Sequence, residues 1–207
     1  WQGMLTILAI ISMAVGNIVA IAQTNIKRML AYSTISHVGF IFLGLIGGNS
    51  GAYAAAMFYA VVYALMAAGG FGLLVMMSRD GYEVAQLDDF KGLNERNSWQ
   101  AAMMALVMFS MAGVPRTVGF MAKLLVLEAV IGVGLWWLAL VAVFFSIIGA
   151  FYYLRVIKIM YFDKPEATDP LVFGDGANLA LSINGLAILL LGLFPAVLLT
   201  YCQAAFA

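Results

Sequence analysis

Cysteine, histidine and charge are what this sequence has least of. One Cys, Cys202, and one His, His37, occur in 207 residues. A lone Cys has no disulfide partner within the chain and no metal-ligating companions, so it reads as a packing residue. With no Cys cluster, no Gly-rich nucleotide fingerprint and too few ligands for haem or iron–sulfur binding, no redox centre, metal or cofactor site is expected in this chain. Acidic and basic side chains together make 10% of the residues and balance to a formal net charge of +0, so charge gives no case for a nucleic-acid partner or an acidic substrate. The chain begins on Trp1 with no basic stretch ahead of its first apolar run. No secretory leader is therefore recognised, and the sequence reads as the C-terminal part of a longer subunit. No low-complexity stretch or long polar linker divides residues 1–207, which read as a single transmembrane domain.

What is present is hydrophobicity. Apolar side chains make 65% of the chain and come in runs long enough to cross a bilayer core, which takes roughly 20 helical residues. Lipid leaves only two structures that satisfy their own backbone groups, and continuous runs rather than short alternating ones select the helical bundle over the barrel. The fold class is therefore all-α, a polytopic transmembrane bundle. Six spans are expected, over 2–22, 29–47, 52–77, 99–132, 135–160 and 178–202. Outside the fourth span the basic residues Lys27, Arg28, Arg79, Lys91, Arg96, Arg155, Lys158 and Lys164 all fall at one side, the cytoplasmic one by the positive-inside rule. The aromatic anchors expected there are Trp99 and the Tyr152, Tyr153, Tyr161 group, with Trp1, Trp136 and Trp137 at the opposite interface.

The fourth span is too long and too polar to be one rod. At the helical rise, 99–132 would extend roughly 50 Å. Its middle reads AGVPRTVGFMAK, where Pro115 removes an amide donor and Gly113 admits the backbone angles of a helix end, so a break is expected at 113–117. Broken helices survive in a membrane only against protein or a hydrated cavity. Arg116 would then be structural, bonding the loose carbonyls that end the first half. Lys123 lies about 13 Å from the outer end, near mid-membrane, where an amine costs about 3 kcal/mol to insert and does not face lipid. Intramembrane ionisable residues usually mark ion paths, and this favours a functional Lys123 over a purely structural one. Glu128, nearer the outer end, is open between a solvated terminal residue and a port for protons. His37, at mid-depth in STISHVGF, is more often a hydrogen-bonded interior group than a relay, yet with an ordinary pKa of roughly 6.5 it is competent to carry a proton. It is expected to face the interior with Lys123, or water-bridged groups between the second and fourth spans, as its nearest titratable company. Lys27 and Arg28 read as inner-side anchors.

QTNIKRMLAYSTISHVGF (23–40) followed by GVPRTVGFMAK (113–123) resembles the antiporter-like membrane subunits of proton-pumping NADH:quinone oxidoreductase, respiratory complex I. Asn25 and Lys27 in TNIKR, with Lys at 123, look most like the N-type members of that set. The resemblance implies the second of two inverted repeats, each with one discontinuous helix, followed by the last helix. It makes Lys123 the proton carrier of a half-channel and places His37 on a hydrophilic axis. It further implies other membrane subunits of the complex as partners, FMN, iron–sulfur clusters and quinone only in other subunits, and a bacterial plasma (inner) membrane rather than the mitochondrial one. The first repeat is absent from this sequence, and Arg116 stands where the family commonly has Pro or an apolar residue. Subunits of multi-subunit cation/proton antiporters and membrane-bound hydrogenases share the same broken helix and Lys and form the alternative, while a self-contained secondary transporter should carry its own inverted copy, which this chain lacks.

Overall fold

The structure, a computed structural model, describes residues 1–78, 83–165 and 174–207. Of the expected inner-side basic residues, Arg79 lies outside the described residues, as does the 166–173 part of the last loop. The helices are α1 (Gln2–Ile21), α2 (Ile26–Ile46), α3 (Ser50–Met77), the short α4 (Leu93–Arg96), α5 (Ser98–Ala112), α6 (Val118–Gly132), α7 (Trp136–Phe162), α8 (Asp175–Leu193) and α9 (Ala196–Ala204). Among the described residues α1, α2, α3, α7 and α8 are long and apolar enough to cross a membrane singly. The remaining crossing is shared by α5 and α6, each about 22 Å long. The chain is thus a multi-pass, all-helical membrane bundle.

Side-chain caps set the helix starts. Asn25, Asn49 and Asn97 sit in extended conformation ahead of α2, α3 and α5 and accept hydrogen bonds from the amides of Arg28, Ala52 and Gln100. Each satisfies an amide that has no partner in a helix's first turn. These helices accordingly begin one to three residues before the onset read from hydropathy. The sixth expected span, 178–202, is not continuous. Pro195 has no amide to donate and cannot follow an unbroken helix, so α8 ends at Leu193 and α9 starts at Ala196.

Among the described residues, 24–26 and 85–92 on the side rich in basic residues are pinned to one another and to α7. Asn25 and Gln86 form an isolated antiparallel bridge, with Ile26 N donating to Ala85 O at 2.7 Å and Leu87 N to Thr24 O at 2.9 Å. Leu87, Phe90 and Leu93 are buried there, and Gly92 N bonds Ile159 O near the end of α7 at 3.2 Å. At the opposite side Gln2 Nε2 donates to Ile46 O at 3.1 Å, which sets the start of α1 beside the end of α2. Trp1, Trp99, Trp136 and Trp137 are exposed as interfacial anchors should be, but Tyr152 and Tyr153 are not interfacial: both are buried. Their hydroxyls bond Asn17 and His37 inside the bundle, which holds them there. Cys202 is free and buried.

Candidate functional site

The break in the fourth span is built by four residues, Gly113, Pro115, Arg116 and Thr117. Gly113 adopts φ 85°, ψ 41°, the left-handed geometry that closes a helix, with Gly113 N bonding Ser110 O at 3.0 Å and Val114 N bonding Phe109 O at 3.0 Å. Pro115 follows within the turn. Arg116 is also left-handed, at φ 71°, the one such non-glycine residue among those described. Thr117 then caps α6, its hydroxyl accepting from Phe120 N at 3.4 Å and donating to Val114 O at 2.7 Å. The halves pass very close at Gly119, where a Cβ would lie 1.9 Å from Ser110 O and where Gly119 N donates to Ser110 Oγ at 3.0 Å.

The closing turn of α5 uses the carbonyls of Phe109 and Ser110 and leaves those of Met111 and Ala112 unpaired by backbone. Lys123, on the second turn of α6, takes them. Its Nζ donates to Met111 O at 3.1 Å, to Ala112 O at 3.0 Å and to Ser146 Oγ of α7 at 2.9 Å. All three donors of the ammonium are used, and the charge sits at the negative end of the α5 dipole. The task expected of Arg116 is therefore done by Lys123. Arg116 is exposed, because its left-handed backbone follows the turn outward and the carbonyls are already occupied.

Lys123 is 8% exposed, and what it meets there is a cavity of about 300 Å³ between α2, α5, α6 and α7. Ala112, Gly113 and Ser146 line it beside the amine, and the exposed Phe120, Leu124, Val143 and Ile147 form its mouth. The ring of Phe40 closes the other side, 5.4 Å from Nζ. Behind Phe40 lies a second polar cluster. Tyr59 stacks on Phe40 and bonds His37 Nδ1 at 2.8 Å, Tyr153 bonds His37 Nε2 at 3.0 Å, and Tyr63 stacks on the imidazole with centroids 4.5 Å apart. His37 is buried toward the interior, but its nearest titratable company is this tyrosine set rather than Lys123. A neutral imidazole has one donor and one acceptor nitrogen, and a tyrosine hydroxyl can meet either, so both tautomers fit this pair of partners.

Glu128 is exposed at the outer end and lines a separate cavity of about 310 Å³ with Asn49 and Gln203. Lys27 forms an exposed ion pair with Glu83, whose carboxyl is held below the usual carboxylate range by the hydrogen bond from Lys27 and then by its charge. Among the described residues no group of three His, Cys, Asp or Glu side chains could hold a metal ion. Not legible in the sequence were Ser146, the one serine of α7, and Asn17, which donates to Met13 O and Ser36 Oγ and accepts from Tyr152.

A split membrane crossing whose ends are tied by a buried amine agrees with the antiporter-like membrane subunits that the sequence resembles. The chain is a member of the family described as "NADH:quinone oxidoreductase/Mrp antiporter, TM", which matches residues 1–149. It is 63% identical to NADH-quinone oxidoreductase subunit N of Thioalkalivibrio sulfidiphilus over 99% of this chain and 43% of that protein. With subunit N of Nitrosomonas europaea the identity is 59%, over 96% of this chain and 41% of the relative. Among solved structures, a chain of respiratory complex I from Thermus thermophilus with bound aureothin superposes with a TM-score of 0.87 at 30% identity, covering 97% of this chain and 45% of that one. A chain of the Mrp complex from Dietzia shares the fold, with a TM-score of 0.88 at 20% identity, over 100% of this chain and 47% of the other. The chain spans less than half the length of the curated relatives it matches.

Proposed function

We propose that this chain is the C-terminal part of a proton-translocating membrane subunit of NADH:quinone oxidoreductase, of the N type, and that Lys123 is the group that takes up and releases the proton. The observation that carries the reading is Lys123 itself: a buried amine whose three donors go to two helix-end carbonyls and a serine hydroxyl, at the wall of a cavity large enough to admit water. Such an amine trades hydrogen bonds with neutral partners only, so no fixed carboxylate holds its proton. Water in the cavity would deliver or accept it. His37, paired with Tyr59 and Tyr153, is the relay on the inner side of Phe40, and Glu128 is the port at the outer end. A proton passing between Lys123 and His37 must go around or past Phe40.

This chain would hold one half-channel, with the remainder in the portion of the subunit beyond it. Redox chemistry belongs to partner subunits that carry FMN, iron–sulfur clusters and the quinone site, in a bacterial inner membrane. The test is proton pumping in membrane vesicles by the complete complex carrying Lys123→Ala or Lys123→Arg. Arg keeps donors for Met111, Ala112 and Ser146 but stays protonated near neutral pH, so it separates proton exchange from the capping role. Both variants should lose quinone-coupled pumping, and near-normal pumping by either would overturn the assignment. Co-purification with antiporter or hydrogenase subunits in place of an NADH-oxidising flavin module would move the chain to the sister complexes.

A further inference from the structure

Where α3, α5 and α8 meet, away from Lys123, two amide side chains line the same small space. Gln100 of α5 is fully buried, and its Nε2 donates to Asn178 Oδ1 at 2.6 Å. Asn184 of α8 donates from Nδ2 to the backbone carbonyl of Leu65 in α3 at 2.9 Å. A backbone carbonyl can only accept, which fixes the Asn184 amide with its oxygen at the free end. Gln100 Oε1 and Asn184 Oδ1 are the two buried side-chain polar atoms, among the described residues, that accept no hydrogen bond from the protein. Buried acceptors are rarely left so.

Both residues line one cavity of about 10 Å³, closed by Leu73, Met103, Met104, Val107 and Leu181. That is about the space of a single water. None of those apolar side chains has a proton to donate. Gly69 borders the same space, and a Cβ there would stand 2.4 Å from Asn184 Oδ1 and 2.8 Å from a methyl of Val107, so glycine at 69 keeps it open.

We propose that this cavity binds one structural water, which donates one O–H to Gln100 Oε1 and the other to Asn184 Oδ1. Both of its protons then meet acceptors, while its oxygen faces only the apolar lining. The water fastens α8 to α5, while Asn184 Nδ2 fastens it to α3. Of α8 only Leu181, Gly185 and Ile188 are buried, so this polar seam fixes the rotation of a helix that otherwise presents mostly apolar side chains outward. The inference is independent of proton transfer at Lys123 and survives if that reading fails.

The test is a cryo-EM reconstruction of the complete complex at a resolution where ordered waters elsewhere in its membrane part are visible. A single peak within about 2.6–3.2 Å of both oxygens is expected, and Asn184→Leu should abolish it. A cavity without density while comparably buried waters are seen, or a protein donor found on either oxygen, overturns the proposal. X-ray radiolytic footprinting of the unmodified complex is the second measurement, since a bound water generates hydroxyl radicals in place. Met104 should be oxidised several-fold faster than Met13 and Met29, which are buried to the same degree and lie in other helices; equal rates refute the bound water.

Discussion

Gly119→Ala is the smallest change that should uncouple the two halves of the broken helix. The added Cβ would lie 1.9 Å from Ser110 O, whereas real Cβ contacts are essentially never under 3.0 Å, so α6 must move from α5 by at least the difference, 1.1 Å. Ser110 O is backbone and already accepts from Gly113 N, so it cannot rotate aside. Lys123 lies one turn further along α6, with its Nζ 3.1 Å from Met111 O and 3.0 Å from Ala112 O. A parting of that size stretches both bonds to about 4 Å, beyond hydrogen-bonding range. Overpacking alone costs about 1–3 kcal/mol, and two weakened bonds to a charged donor raise the total to about 3 kcal/mol or more. The assay is the thermal midpoint of the assembled complex, measured beside NADH-driven pumping. Gly132→Ala is the control, because a Cβ there meets nothing within 4 Å and helix propensity favours Ala by up to about 1 kcal/mol. If Gly119→Ala matched the wild type in both stability and pumping, the close passage at the break would not be what holds Lys123 to α5.

Arg116→Gly should raise stability by about 1 kcal/mol, because φ 71° strains a side-chain-bearing residue and the arginine makes no compensating bond to the α5 carbonyls; a lowered thermal midpoint would refute this. Tyr153→Phe removes the partner of His37 Nε2 and should destabilise by about 1–2 kcal/mol, whereas Tyr63→Phe, whose hydroxyl bonds half-buried Thr34, should cost less, and the reverse order would count against the His37 cluster. Glu83, held below its ordinary pKa by Lys27, contributes in full above its unfolded value of about 4.3 and loses that contribution as pH falls from there through the lower folded value. Between about pH 5 and pH 8, then, Glu83→Gln should track the wild type in thermal stability with no change in offset, and an offset that grows within that window would show a different partner.

The break at 113–117 was legible because its cause is local: Gly113 and Pro115 carry their backbone restrictions in any context. Pro195 carries the same restriction, and the expected unbroken run through it gave it too little weight against the hydropathy of its neighbours. The Asn caps at 25, 49 and 97 set helix starts that hydropathy places late, since a polar residue lowers the very average used to find the span. Lys123 stood out by depth, but its partners did not, because backbone carbonyls freed by a turn have no side-chain signature. Tyr152 and Tyr153 read as interfacial from their type and place near the inner end of a span; only the arrangement of α1 and α2 around α7 shows that Asn17 and His37 draw them inward.

The fastened inner loop has a mechanical consequence. α5 starts on a turn whose Gly92 is bonded to α7, and the strand-like bridge beside it is bonded to the start of α2, while α6 ends in a short, hydrogen-bonded turn into α7. The split crossing is thus like a beam clamped at both supports. A beam held that way yields where its section is thinnest, and here that is the stretch 113–117, which lacks the continuous ladder of backbone bonds. Strain arriving from either side of the membrane is concentrated at mid-span, where small bending changes the distance from Lys123 to its carbonyls while the supports stay still. Stiffness at the ends is what makes the centre sensitive.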